Sequence, residues 1–144
     1  MKLNYLVMFL TLSLAGCQVL PDKYTQEASP DLVKLQLFGY STGTQYIGVP
    51  IANKAHQYHM KSIEESFAYL KPDSDYALQS SGHVAGGKCG WTYVIHTPKK
   101  PQSLTVYSKY QDGKCFASVN TELDNIDQSG FSLRKLAKHE KIAF

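Results

Sequence analysis

The 144-residue chain has no Cys-x-x-Cys pair and no His-Glu-x-x-His. Each absence removes a chemistry: a dithiol redox centre and the helical zinc-hydrolase site. Gly86-Gly87-Lys88 is followed by Cys89, where a phosphate loop carries Ser or Thr to hold magnesium. Long apolar runs are missing too. The longest, Tyr5 to Leu14, is interrupted by Thr11 and Ser13. As a helix it would span roughly 15 Å, half a bilayer's hydrocarbon core, so it is no transmembrane anchor.

Charge of either sign is also not in excess. Fifteen basic and twelve acidic side chains leave a formal net charge of +3, which selects no polyanionic partner. Lys99-Lys100 and the stretch from Lys135 to Lys141 are the basic clusters. Without a nucleic-acid-binding motif they read as solvated faces, and no nucleic acid is expected as a partner.

At the N-terminus, Lys2 precedes the apolar run, and small Ala15 and Gly16 end it. That order is a secretory signal. Over residues 1–17, Leu14-Ala15-Gly16-Cys17 resembles the lipobox of bacterial lipoproteins. The resemblance implies cleavage before Cys17, a diacylglyceryl thioether on Cys17 and a further acyl chain on the new amine. One acyl chain binds a membrane marginally, whereas two or three hold a domain stably. Gln18, in place of the aspartate that favours the inner membrane in such lipoproteins, points to the outer membrane. A periplasm-facing orientation is expected. With Cys17 given to lipid, Cys89 and Cys115 are left as the intrachain pair, and an oxidising compartment would join them.

Removing residues 1–16 leaves 128, enough for one domain. Residues 17–30 hold the lipidated cysteine and then Pro21, Pro30 and polar residues without periodicity, which reads as a flexible tether. Residues 31–144 form the globular part. Asp31 to Phe38 alternates like a half-buried strand. His56, Met60, Ile63, Phe67 and Leu70 recur at four, three, four and three, the spacing of an amphipathic helix from Lys54 to Leu70 with Asn53 as N-cap and Pro72 beyond its end. Four strands follow, Tyr76 to Val84, Trp91 to Thr97, Leu104 to Tyr110 and Cys115 to Asn120, cut by Gly86-Gly87, Pro98 to Pro101 and the hairpin signal Asp112-Gly113. A short helix is expected after Phe131. The fold class is therefore α+β, one helix on a mainly antiparallel meander of four to five strands with one disulfide.

A simple meander puts the strands that begin at Gly87-Lys88-Cys89 and Gly113-Lys114-Cys115 about 9.6 Å apart. A disulfide needs Cα atoms within about 7 Å, so either the two turns fold over the middle strand or the sheet curls.

On the expected helix, His56 and His59 stand three apart, a spacing that brings two imidazoles to one metal, with His83 or His96 as a third ligand. Gln57 stands where a zinc hydrolase has its glutamate, and His56 also fits the edge of the core stripe. Glu64 with Glu65, and Asp73 with Asp75, read as solvated charges. No cofactor is expected. Ten tyrosines and Trp91 supply rings with polar tips that suit a binding face or cross-strand packing. Trp91, Tyr93 and Ile95 should face the core. Thr92, His96, Tyr107 and Lys109 should share the opposite face, the candidate binding surface. These features lead to a non-enzymatic, lipid-anchored envelope module serving envelope assembly or secretion through an envelope protein partner. The alternatives are a surface-exposed exclusion or inhibitor lipoprotein, and a tethered metal-dependent hydrolase using His56 and His59.

Overall fold

A computed structural model describes residues 20–40, 43–119 and 127–144. Cys17, the signal segment and the lipid expectation lie outside these residues. Ten strands and no helix make up the described residues: β1 (Val33–Phe38), β2 (Thr44–Pro50), β3 (Gln57–Ser62), β4 (Phe67–Leu70), β5 (Asp75–Val84), β6 (Gly87–His96), β7 (Ser103–Gln111), β8 (Lys114–Val119), β9 (Ser132–Lys135) and β10 (Lys141–Ala143). The chain is all-β, which corrects the α+β expectation.

The expected helix from Lys54 to Leu70 is instead two short strands, β3 and β4, that enter different sheets. Its apolar residues do recur, but as alternations in separate strands: Tyr58 and Met60 are buried on β3, Ala68 and Leu70 on β4. Asn53, His56 and Ser66 have φ near +60°, a left-handed conformation that interrupts any helix. Asn53 therefore sits in a turn rather than at an N-cap. The expected helix after Phe131 is likewise two strands, β9 and β10.

The strands form two sheets, β4-β1-β7-β8 and β10-β3-β2-β5-β6-β9. Both expected hairpins are present, β5 with β6 and β7 with β8. At the second turn Asp112 and Gly113 have φ of 51° and 74°, the handedness a two-residue hairpin loop requires. The meander breaks between them, because β6 and β7 enter different sheets and β7 pairs in parallel with β1. Val33, Leu35 and Leu37 of β1, Ile47 of β2, Leu78 of β5, Ile95 of β6 and Leu104 and Val106 of β7 fill the space between the sheets. Trp91 joins them and donates its indole N–H to Ser108 Oγ at 3.0 Å, and Ser108 Oγ in turn donates to Ser80 at 3.2 Å.

Cys89 on β6 and Cys115 on β8 are disulfide-bonded with Cα atoms 5.8 Å apart. Neither a folded-over turn nor a curled meander brings them together. They face one another across the sandwich, so the bond staples one sheet to the other.

A second, smaller core lies on the opposite face of the six-stranded sheet, where Tyr58, Met60, Ala77 and Val94 are buried beneath Leu136 and Ile142. Five residues, Leu136 to Glu140, connect β9 at one edge to β10 at the other. They reach at most about 22 Å, whereas six flat strands would hold the edges about 24 Å apart. The sheet therefore curls toward this strap. Glu140 is buried beneath it, taking Arg134 Nη1 and Nη2 at 2.6 and 2.7 Å and the Ala137 N–H at 2.7 Å.

Within the stretch read as a tether, Lys23 pairs in parallel with Ser62, and the Tyr24 hydroxyl donates to the Tyr69 carbonyl at 2.7 Å. The chain is thus docked at Asp22 to Tyr24.

Candidate functional site

The four-stranded sheet turns one side to the core and the other to solvent. Alternation along β1, which reads buried, exposed, buried, exposed, puts Lys34, Gln36 and Phe38 outside. Register places Tyr107 beside Phe38, Thr105 beside Gln36, and Phe67 beside Gln36 on the other flank. On β8, Phe116 lies opposite Lys109 and Ser118 opposite Tyr107. The result is an aromatic face. Phe38 and Tyr107 stack with centroids 5.3 Å apart and planes 7° from parallel, and Phe38 stays 49% exposed. Phe67 meets Tyr69 edge-on at 5.9 Å, and the Lys34 ammonium sits 5.4 Å from the Phe67 centroid. The Tyr40 hydroxyl donates to the Lys109 carbonyl at 3.0 Å, tying the following loop to the far end of the face.

Charge on this sheet is one-sided. Its four strands contain Lys34, Lys109 and Lys114 and no Asp or Glu. Half-exposed rings with these lysines on the same strands make a surface that gains apolar burial and, through the lysines, attracts acidic groups.

The surface expected from Thr92, His96, Tyr107 and Lys109 is divided by the fold. Tyr107 and Lys109 belong to the aromatic face. Thr92 and His96 lie on β6 in the other sheet, on the side that carries Val94 under the strap. The expected inward residues Trp91, Tyr93 and Ile95 do pack with the core. Phe38 and Phe67 are the functional candidates that the sequence reading missed, since β1 meets β7 across a separation that no local pattern encodes.

His96 has both ring nitrogens engaged. Nδ1 is 2.7 Å from Asp75 Oδ1 and Nε2 is 3.2 Å from Asp73 Oδ1. The Asp75 hydrogen bond, partly opposed by burial and reinforced by Asp73, raises its pKa above the usual histidine range. Both ring nitrogens are thus taken up by carboxylates, an arrangement the protonated ring satisfies by donating from each.

His56 and His59, the candidate metal ligands, are not on one face. His56 is in the turn before β3, edge-on to His139 at 5.0 Å and 4.0 Å from Glu140. His59 lies on β3 with Nε2 3.9 Å from Asp22. The shared helical face that motivated a metal does not exist, and no group of three or more His, Cys, Asp or Glu converges on a metal position among the described residues. Gly86-Gly87-Lys88 forms the β5–β6 hairpin, with no helix N-terminus to receive a phosphate.

No protein-family model, curated protein or solved structure matches this chain.

Proposed function

We propose that the protein is a non-catalytic, lipid-anchored interaction module of the bacterial envelope, and that the aromatic face of the four-stranded sheet is its docking surface. The stacked Phe38–Tyr107 pair, half-exposed at the centre of a face with lysines and no carboxylate in its strands, is the observation that carries this reading. Its partner is an envelope protein presenting an apolar patch bordered by Asp and Glu. Burying rings of this kind dominates interface energetics, while rim lysines set approach rate and register.

Anchoring follows from the lipobox-like Leu14-Ala15-Gly16-Cys17. Lipid on Cys17 holds the domain at the outer membrane, facing the periplasm, with Asp22 at most about 18 Å from the attachment point. The domain then works close to the bilayer rather than on a long leash. Growth with a clickable fatty acid tests the anchor: the label is expected on the protein and lost in Cys17→Ser, which moves to the soluble fraction. A Cys17→Ser protein that stays with membranes overturns it. The docking face is tested by Lys34→Glu with Lys109→Glu. This pair should abolish co-purification of whatever crosslinks to the unaltered protein while leaving Trp91 emission unchanged; retained co-purification contradicts the assignment.

A further inference from the structure

A cleft of about 430 Å³ opens on a different side of the molecule, where the N-terminal segment meets β2, β3 and the end of β4. Its walls include Tyr24, Val49, Lys61, Lys71, Ser74 and Tyr76, and no carboxylate lines it. We propose that this cleft binds a ligand through a phosphate group, with the ammonium groups of Lys61 and Lys71 as its counter-charges.

Several cations elsewhere have carboxylate partners: Lys23 with Glu64, Lys100 with Asp127, Arg134 with Glu140. Lys61 and Lys71 have none within ion-pairing distance among the described residues. Two unpaired positive charges at a concave surface focus field into it and concentrate anions there. A hydroxyl donor is also free. Tyr76 is 5% exposed, and its oxygen accepts the Lys71 backbone N–H at 3.1 Å. Its own proton has no acceptor among the described residues. Burial raises the Tyr76 pKa, outweighing the Lys71 hydrogen bond, so the group remains a donor. Two ammonium groups with a hydroxyl donor suit a doubly charged tetrahedral oxyanion better than a singly charged carboxylate. The volume exceeds that of a phosphate group and leaves room for the organic part it is attached to.

Two sources supply that chemistry, a soluble phosphate ester and a lipid headgroup. Tyr24 is seven residues beyond Cys17, so with lipid on Cys17 the cleft wall lies within about 25 Å of the bilayer. The binding chemistry itself holds with or without acylation.

The test is a nitrogen-15 NMR titration of the full chain carrying Cys17→Ser. The probes are inorganic phosphate, sodium acetate at equal ionic strength, and phosphatidylcholine vesicles with and without phosphatidylglycerol. Phosphate is expected to shift the amides of Lys61, Ser74 and Tyr76 saturably, and acetate is not. Lys61→Gln and Lys71→Gln, each at a side chain that is not buried, should each weaken phosphate binding about tenfold. The same amides responding to phosphatidylglycerol vesicles identifies a headgroup as the source; response to phosphate alone identifies a soluble ester. Absence of saturation, equal response to acetate, or unweakened binding in both variants overturns the proposal.

Discussion

Glu140 and His96 are the two side chains whose ionisation the fold changes most informatively, and their effects run in opposite directions with pH. Arg134 and the Ala137 N–H, against the opposing effect of burial, hold the Glu140 carboxyl down at about 2. A depressed carboxyl stabilises the fold fully above its unfolded value near 4.5, and that contribution disappears as pH falls toward 2. It is worth about 3 kcal/mol for this buried group. Glu140→Gln is therefore expected to lower the urea midpoint at pH 7 and to flatten the acid limb of stability between pH 4.5 and 2. An unchanged acid limb in the variant refutes this role. His96 has a raised pKa, so its ion pairs with Asp75 and Asp73 stabilise fully below the ordinary histidine value and fade as pH rises through the raised folded value. Nitrogen NMR should show both His96 ring nitrogens protonated at pH 6.5. Asp75→Asn should bring its titration down toward the ordinary value; no downward movement contradicts the pairing.

At the scale of elements, β10, which anchors the far end of the strap, is the piece whose removal has the clearest outcome. Deleting Lys141 to Phe144 removes β10 from the β3 edge and takes Ile142 off the second core. The expected result is a loss on the order of 2 kcal/mol in urea unfolding and new binding of a hydrophobic dye, with Trp91 emission preserved because that ring lies in the other core. A deletion that leaves both stability and dye binding unchanged means that the second core is not held by the strap. Element reading from the sequence succeeded where structure is local. β1 and β5 to β8 announce themselves by alternation, and Asp112-Gly113 by the left-handed turn it must make. It failed at Lys54 to Leu70, because two short alternating strands separated by a turn reproduce the four-three-four-three spacing of a helix. The aromatic content of Tyr58, Phe67 and Tyr69 suits the strands that form there. Tyr107 and Lys109 were legible as half of the candidate face. Phe38 was not, since it reaches Tyr107 only through the parallel β1–β7 pairing.

For the whole molecule, the disulfide and the aromatic face are parts of one design. The Cys89–Cys115 bond fixes the sheet carrying the face to the wider sheet behind it, while the strap closes the far side. It encloses 27 residues of chain, for which the entropy model gives about 3.5 kcal/mol. Cys89→Ala with Cys115→Ala should lose stability of that order, with the urea slope affected through the less compact denatured chain. A double variant as stable as the parent removes the staple from the account.

The central claim is that docking occurs on the aromatic face. It is tested most directly by placing a photocrosslinking amino acid at Tyr107 in living cells, with a second protein carrying it at Thr92 on the other sheet. The account predicts one discrete crosslinked product from position 107, none from position 92, and loss of that product when Lys34→Glu and Lys109→Glu are introduced. A product that forms equally from both positions, or survives the charge reversal, would contradict it.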